Sequence, residues 1–274
     1  FWNGIASDGG DIRVTNSMGV EVPREIVAVD TAGDTGELHF QADTISSTVD
    51  TVFFIYYNGT TTGDYSATST YGSQNVWSNG YSGVWHLGED GNTNAGGYLD
   101  STAFQNHGTG TSMTSASDVA GRVGQAQTFD GVSDFIGIPT ANELEFRQED
   151  MTFSAWSRKA STLGTGTYGR VMSYGAFPHP YSITLNATSD SISFGFEDDA
   201  GIDQKTYNQP AASSTWTMYS ASFESGVGTE FYVDGVGVQS RASTTYQVGN
   251  YDTAGLGIGA SAAPNSNQFT GEID

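Results

Sequence analysis

An all-β fold is predicted for this chain, and three features of the sequence predict it. Glycine is abundant (36 residues) and proline scarce (6), with Ser, Thr and Asn scattered between short apolar runs. That is the composition of many turns joining short strands. The apolar runs themselves are β-branched or aromatic, as residues on a pleated half-buried surface tend to be. Helical signal is thin: the best stretch, 140–150, has Leu144 and Phe146 two apart and only weak helical periodicity.

Taken in order, the strands are expected at 51–57 (Thr-Val-Phe-Phe-Ile-Tyr-Tyr), 134–138, 151–156, 191–196 and 229–233. Most are bounded by Gly, Asn, Asp or Pro. Asp234-Gly235 between Phe231-Tyr-Val233 and Val236-Gly-Val238 is the strongest hairpin signal, a two-residue turn that tolerates positive φ. Residues 60–80 are mostly small and polar with no periodic apolar face, so they read as a linker. The division expected is an N-terminal β-module at 1–62, a connection at 63–80, and a larger module at 81–274. No self-similarity at a fixed period indicates repeats.

Charge and composition remove several function classes. Nine Lys and Arg stand against 31 Asp and Glu, a formal net charge of −22. A phosphate backbone needs clustered cations, so nucleic acid is a poor partner. The absence of cysteine excludes disulfides, thiol chemistry and Cys-ligated metals. No apolar run approaches the ~20 residues of a membrane-spanning helix, and no signal peptide is recognisable. Aromatic residues reach 12%, ample for a folded core.

The segments Gly83-Val-Trp-His-Leu-Gly-Glu89, Asp100 to Thr109, Gly124 to Pro139, Met151-Thr-Phe-Ser-Ala-Trp156, Trp216 to Phe223, Glu230 to Gly235 and Phe269-Thr-Gly-Glu-Ile-Asp274 follow one another in order. This succession resembles the laminin-G-like, concanavalin A-like jelly-roll family over 83–274. The resemblance implies that this larger module is a jelly roll of two stacked antiparallel sheets; two β-sandwich modules are expected in all, meeting near residues 60–80. Asp8 to Thr15, Pro23 to Val27 and Val52 to Asn58 are similar to a domain of unknown function that precedes laminin-G-like modules in microbial and phage surface proteins. Phe1 starts inside that pattern, and Asp274 stops where the jelly-roll family continues with one more strand. A final strand is thus expected to be missing or supplied by another chain.

Catalytic motifs are sparse. His39, His86, His107 and His179 are scattered with no His-x-His or His-Glu-x-x-His spacing, so neither a histidine metal site nor a Ser-His-Asp triad is supported. His86, beside Trp85, reads as a packed or hydrogen-bonded histidine. Glu272 and Asp274 alternate on one strand as a glycosidase pair would, but the resemblance implies that Gly-Glu-Ile-Asp closes non-catalytic modules. Glu197-Asp198-Asp199, with Asp203 beyond, reads as a solvated turn.

Calcium suits many oxygen ligands in irregular geometry. Within the family-like segments the candidates are Asp100 with Asn106, Asp130 with Asp134, and Asp274, for a structural ion; plain turn chemistry is the competing reading for each. Sugar rings stack on aromatic faces beside polar groups. Residues 168–181 combine such groups, and Arg170, Tyr174, Phe177, His179 and Tyr181 are the candidate ligand-binding residues. Trp156 and Trp216 are expected in the core.

The reading favoured is a non-catalytic extracellular binding or adhesion protein that recognises carbohydrate or a cell surface. One alternative is a structural component of a phage particle or surface filament, partnered by other subunits of a large assembly. Another is a polysaccharide-cleaving enzyme of the same fold. The expected location is extracellular, on a cell surface or on a virion surface, without membrane insertion.

Overall fold

The computed structural model describes residues 1–60, 63–146, 149–160, 168–175, 181–186, 191–198, 201–210, 214–242, 254–261 and 267–274. The chain divides into two compact units, 1–88 with 100–105, and 89–99 with 106–274.

The first unit holds strands β1 (Arg13–Asn16), β2 (Arg24–Asp30), β3 (Thr35–Phe40) and β4 (Phe53–Tyr56), then the short helix α1 (Ser73–Val76). Its sheets are two antiparallel pairs, β1 with β4 and β2 with β3. It is therefore two small ribbons, not the sandwich expected. Two-stranded ribbons are marginal alone and need further packing. Buried Arg24 supplies part of it: its guanidinium donates to the carbonyls of Ile12 and Gly10 and pairs with Asp64 at 2.8 Å. Asp11 supplies more, accepting the backbone N–H of Ala6 at 2.8 Å and of Asn58 at 2.7 Å. The stretch expected as a linker belongs to this unit. Arg24 N–H donates to Tyr71 O at 3.2 Å, and α1, with Val76 buried, packs on β2. Its small polar residues serve tight turns, which is why no apolar period showed.

The second unit begins with β5 (Thr109–Thr111), β6 (Asp118–Ala120), β7 (Gln125–Asp130), β8 (Phe135–Ile138) and β9 (Met151–Lys159). It continues with β10 (Tyr168–Tyr174), β11 (Tyr181–Asn186), β12 (Ser191–Asp198), β13 (Gly201–Pro210) and β14 (Thr217–Glu224). It ends with β15 (Gly228–Val233), β16 (Val236–Ala242), β17 (Leu256–Ile258) and β18 (Thr270–Ile273). Two seven-stranded antiparallel sheets result, ordered β13-β12-β11-β10-β17-β8-β5 and β16-β15-β14-β9-β18-β7-β6. Among the described residues of stretch 140–150 there is one 3-10 turn, Asn142–Leu144.

The core lies between these sheets. Phe194 of β12 stacks on Phe231 of β15 with ring centroids 4.4 Å apart, and Phe153 of β9 meets Tyr181 of β11 at 5.6 Å. Each fully buried large side chain contributes roughly 1.5–3 kcal/mol. Along β14 the residues Thr217, Tyr219, Ala221 and Phe223 are buried while those between them are not. That alternation is the signature of a strand covered on one face. The turn Asp234-Gly235 has φ of 50° and 75°, the paired positive values anticipated for this hairpin.

Trp156 and Trp216 depart from expectation. On β9, Met151, Phe153 and Ser157 point inward, so Trp156 falls on the opposite face and is half-buried. The Arg122 guanidinium sits 5.3 Å from its ring centre, and Arg158 sits 5.2 Å from that of half-buried Trp216. Both indoles are outer-face cation–π partners rather than core.

Candidate functional site in the N-terminal unit

The β2–β3 hairpin carries the chemistry of the first unit. Glu37 and His39 are two apart on β3 and so share one face, and Glu25 of β2 is the cross-strand partner of His39. His86 reaches the same place from the segment beside the Trp85–Asp100 bridge. The His39 and His86 rings stack with centroids 4.6 Å apart. His39 Nε2 lies 2.7 Å from Glu37 Oε1, His86 Nδ1 3.6 Å from that same oxygen, and His86 Nε2 3.2 Å from Glu25 Oε2. Among the described residues this is the one trio of His, Asp or Glu whose ligand atoms converge within 4.8 Å, namely Glu37, His39 and His86.

Burial drives the Glu25 pKa up, but hydrogen bonds from His86, Ser101 and Trp77 outweigh it and hold the carboxyl below its ordinary value. Glu25 is therefore an anion at neutral pH. Trp77, just after α1, donates its indole N–H to Glu25 Oε2 at 2.6 Å. Its ring lies 5.5 Å from that of His39 and 5.6 Å from that of His86. The same indole walls an open cleft of about 520 Å³. Tyr81 and Phe104 complete the aromatic lining, with Gln74, Asn75 and Ser78 among the polar groups. Tyr81 stands edge-on to Trp77 at 5.1 Å. A cleft with apolar faces and amide and hydroxyl groups at its rim suits a small polar ligand that has an apolar side.

The residues singled out in the sequence have other surroundings. Arg170, Tyr174 and Tyr181 are buried inside the sandwich. Tyr174 stacks on Tyr181 at 5.4 Å, Tyr181 donates its hydroxyl to Leu144 O at 3.0 Å, and Arg170 donates to Thr184 Oγ1. Burial lowers the Arg170 pKa to about 10. Phe177 and His179 lie outside the described residues.

Of the expected calcium ligands, Asp100 is buried and accepts from the N–H of Val84 and Thr102 and the hydroxyl of Thr102. Asn106 donates to Glu143 at 2.8 Å. Asp130 and Asp134 are brought side by side. Asp130 Oδ1 accepts three N–H groups (Val132, Ser133, Asp134), and Asp134 Oδ2 accepts the N–H of Asp130. Burial, then the charge of Asp130, push the Asp134 pKa up. Asp274 accepts from Arg122 and Val123 N–H. Since Thr270 is the partner of Asp130, Asp274, just past the end of β18 and four residues beyond Thr270, lies about 13 Å away at ~3.3 Å per residue. Asp130 and Asp274 therefore do not share one ion. Glu272, the other half of the alternating pair, is bonded to Arg158.

Residues 129–274 match the laminin G family described as the concanavalin A-like lectin/glucanases superfamily. The chain belongs to that superfamily. Among solved structures it is similar to the binding domain of botulinum neurotoxin serotype G, at 8% identity and TM-score 0.50, over 69% of this chain and 46% of that one. It is also similar to the binding domain of Paraclostridial Mosquitocidal Protein 1, at 14% identity and TM-score 0.49, over 68% and 48%. The chain thus spans just under half the length of these structures. At such identities the likeness is one of fold. No curated protein matches the chain.

Sequence reading missed the site at 25–86. Its local signal was Glu37-Leu-His39, an i, i+2 pair that any strand places on one face. The contributions of Glu25, Trp77 and His86 depend on pairing between distant segments.

Proposed function

We propose that the protein is a non-catalytic binding protein that captures carbohydrate at a cell or virion surface, through the aromatic cleft of its N-terminal unit. The observation that carries this reading is the cleft itself, where Trp77, Tyr81 and Phe104 offer ring faces beside Gln74, Asn75 and Ser78. Apolar C–H faces of a sugar stack on such rings, while its hydroxyls bond the amides and the serine. Membership of a superfamily named for lectins supports carbohydrate binding by the protein but, resting on residues 129–274, says nothing of the cleft; that superfamily also includes glucanases, and fold alone does not fix function. The bonding of Glu272 to Arg158 and of Asp274 to the 122–123 turn supports the non-catalytic part.

A glycan array followed by calorimetry on the best ligand tests it. Tyr81→Ala and Phe104→Ala change half-exposed rings, so folding is preserved and affinity should fall about tenfold each, equivalent to ~1.4 kcal/mol. Retained affinity in both variants excludes the cleft, and release of sugar products from polysaccharide assigns the chain to the enzymes instead.

A structural role in a larger assembly is favoured by a different observation. Phe54 and Tyr56, two apart on one face of β4, are each about half exposed, as is Ile55 on the other face, and exposed apolar residues so paired can mark protein contacts. Calcium belongs to the proposal at one place, the adjacent carboxylates of Asp130 and Asp134.

A further inference from the structure

We propose that Glu37, His39 and His86 form a binding site for a zinc-class divalent cation. Two imidazoles and a carboxylate are the donor set that such ions take, in contrast to the all-oxygen shells of calcium and magnesium. A tetrahedral ion with bonds of about 2.0–2.2 Å spaces its ligand atoms roughly 3.3–3.5 Å apart. The two Glu37 contacts, 2.7 Å to His39 Nε2 and 3.6 Å to His86 Nδ1, bracket that spacing. All three ligand atoms lie within 4.8 Å of one another. Reorientation of the two stacked imidazole rings would turn both in-plane lone pairs onto one ion and close the shell.

The surroundings fit a metal site as well as the ligands do. Metal-bound histidines are commonly fixed by a carboxylate on the far ring nitrogen, which sets the tautomer and raises ligand basicity. Glu25 stands in that relation to His86, at 3.2 Å from Nε2, and is itself anchored by the Trp77 indole. A proton held at Nε2 leaves the Nδ1 lone pair on the Glu37 side. Glu37 is 7% exposed at its side chain, His86 13% and His39 25%. The cluster is thus enclosed on the glutamate side and reaches solvent beside His39, where a fourth ligand, water or an oxygen of a bound molecule, enters. The ion would join β3 to the 85–87 segment and stabilise the first unit against opening.

The test uses the full chain, stripped with chelator, titrated with zinc chloride against a chromophoric chelator, and with cobalt chloride by visible absorption. One equivalent should bind, with a cobalt spectrum of a four-coordinate nitrogen and oxygen site. Affinity should fall at least tenfold in His39→Gln and in His86→Gln, fall 10–100-fold in Glu25→Gln, and stay unchanged in His107→Gln. Copper should quench tryptophan emission in the wild type and lose most of that effect in Trp77→Phe. If a histidine variant fails to fold by circular dichroism, the cobalt spectrum and the Trp77→Phe quenching experiment decide. Absence of stoichiometric binding, equal affinity in folded His39→Gln and His86→Gln, or a six-coordinate cobalt spectrum overturns the site.

Discussion

Trp77 and Glu25 are joined by a hydrogen bond of 2.6 Å, so one indole both walls the aromatic cleft and anchors the carboxylate behind His86. Replacing Trp77 by Phe keeps a ring in the cleft but removes the donor. A charge-assisted hydrogen bond is worth about 1.5–3 kcal/mol. Trp77→Phe should therefore lower the stability of the first unit by that order, measured by urea denaturation, while Tyr81→Phe, which deletes only a phenolic hydroxyl, leaves it unchanged.

Asp11 ties together two distant stretches, residue 6 and residue 58. Burial raises its pKa, but the N–H groups of Ala6 and Asn58 outweigh this, and the carboxyl titrates below its ordinary value. A carboxylate with a lowered folded pKa stabilises the protein above its unfolded pKa of about 3.9, and that contribution is lost as pH falls through the folded value. Asp11→Asn should cost about 1–3 kcal/mol at pH 7, and progressively less as pH falls through the folded value. Thermal melts of both proteins across an acid pH series check this; a cost that does not shrink in acid removes the charge from the explanation.

Gly259 follows β17 with φ of 80°, and an added Cβ would stand 2.3 Å from the ring of buried Phe129. Gly259→Ala thus adds a left-handed backbone penalty to a core clash, together about 2–4 kcal/mol. Melting of the second unit should fall by several degrees, and a second change of Phe129→Leu should recover part of the loss.

Calcium at Asp130 and Asp134 would offset the repulsion that raises the Asp134 pKa. With a dissociation constant on the order of 10⁻⁴–10⁻³ M, a few millimolar calcium should add about 1 kcal/mol. Differential scanning calorimetry should show a rise in melting temperature that Asp134→Asn abolishes. An unchanged melting temperature with calcium and with chelator leaves these carboxylates as turn formers.

What the sequence disclosed follows the range of each interaction. Asp234-Gly235 was legible because a two-residue turn is decided by its own φ angles. The jelly roll was legible through its resemblance, because the seven family-like segments between 83 and 274 are each short local patterns that follow one another in order. Trp156 was misjudged although the same rule applies to it: with Phe153 inward, a residue three positions on must face outward. Burial of Arg170 and Tyr174 was hidden, because a tyrosine and an arginine between glycines look alike on a rim and in a core. Convergence of Glu25, Glu37, His39 and His86 depends on how the 85–87 segment meets a hairpin far earlier in the chain, which no spacing motif records.

In the second unit β17 lies between β8 and β10, and β18 lies between β7 and β9. Each sheet is thus two half-sheets held together by a short strand from residues 256–273. Neither half-sheet can close before that stretch has emerged and docked, so contacts of long sequence separation come last and folding should be slow. In the interval the inner edges of β7, β8, β9 and β10 stand unpaired, which is when this protein is most exposed to strand-to-strand association with its own copies.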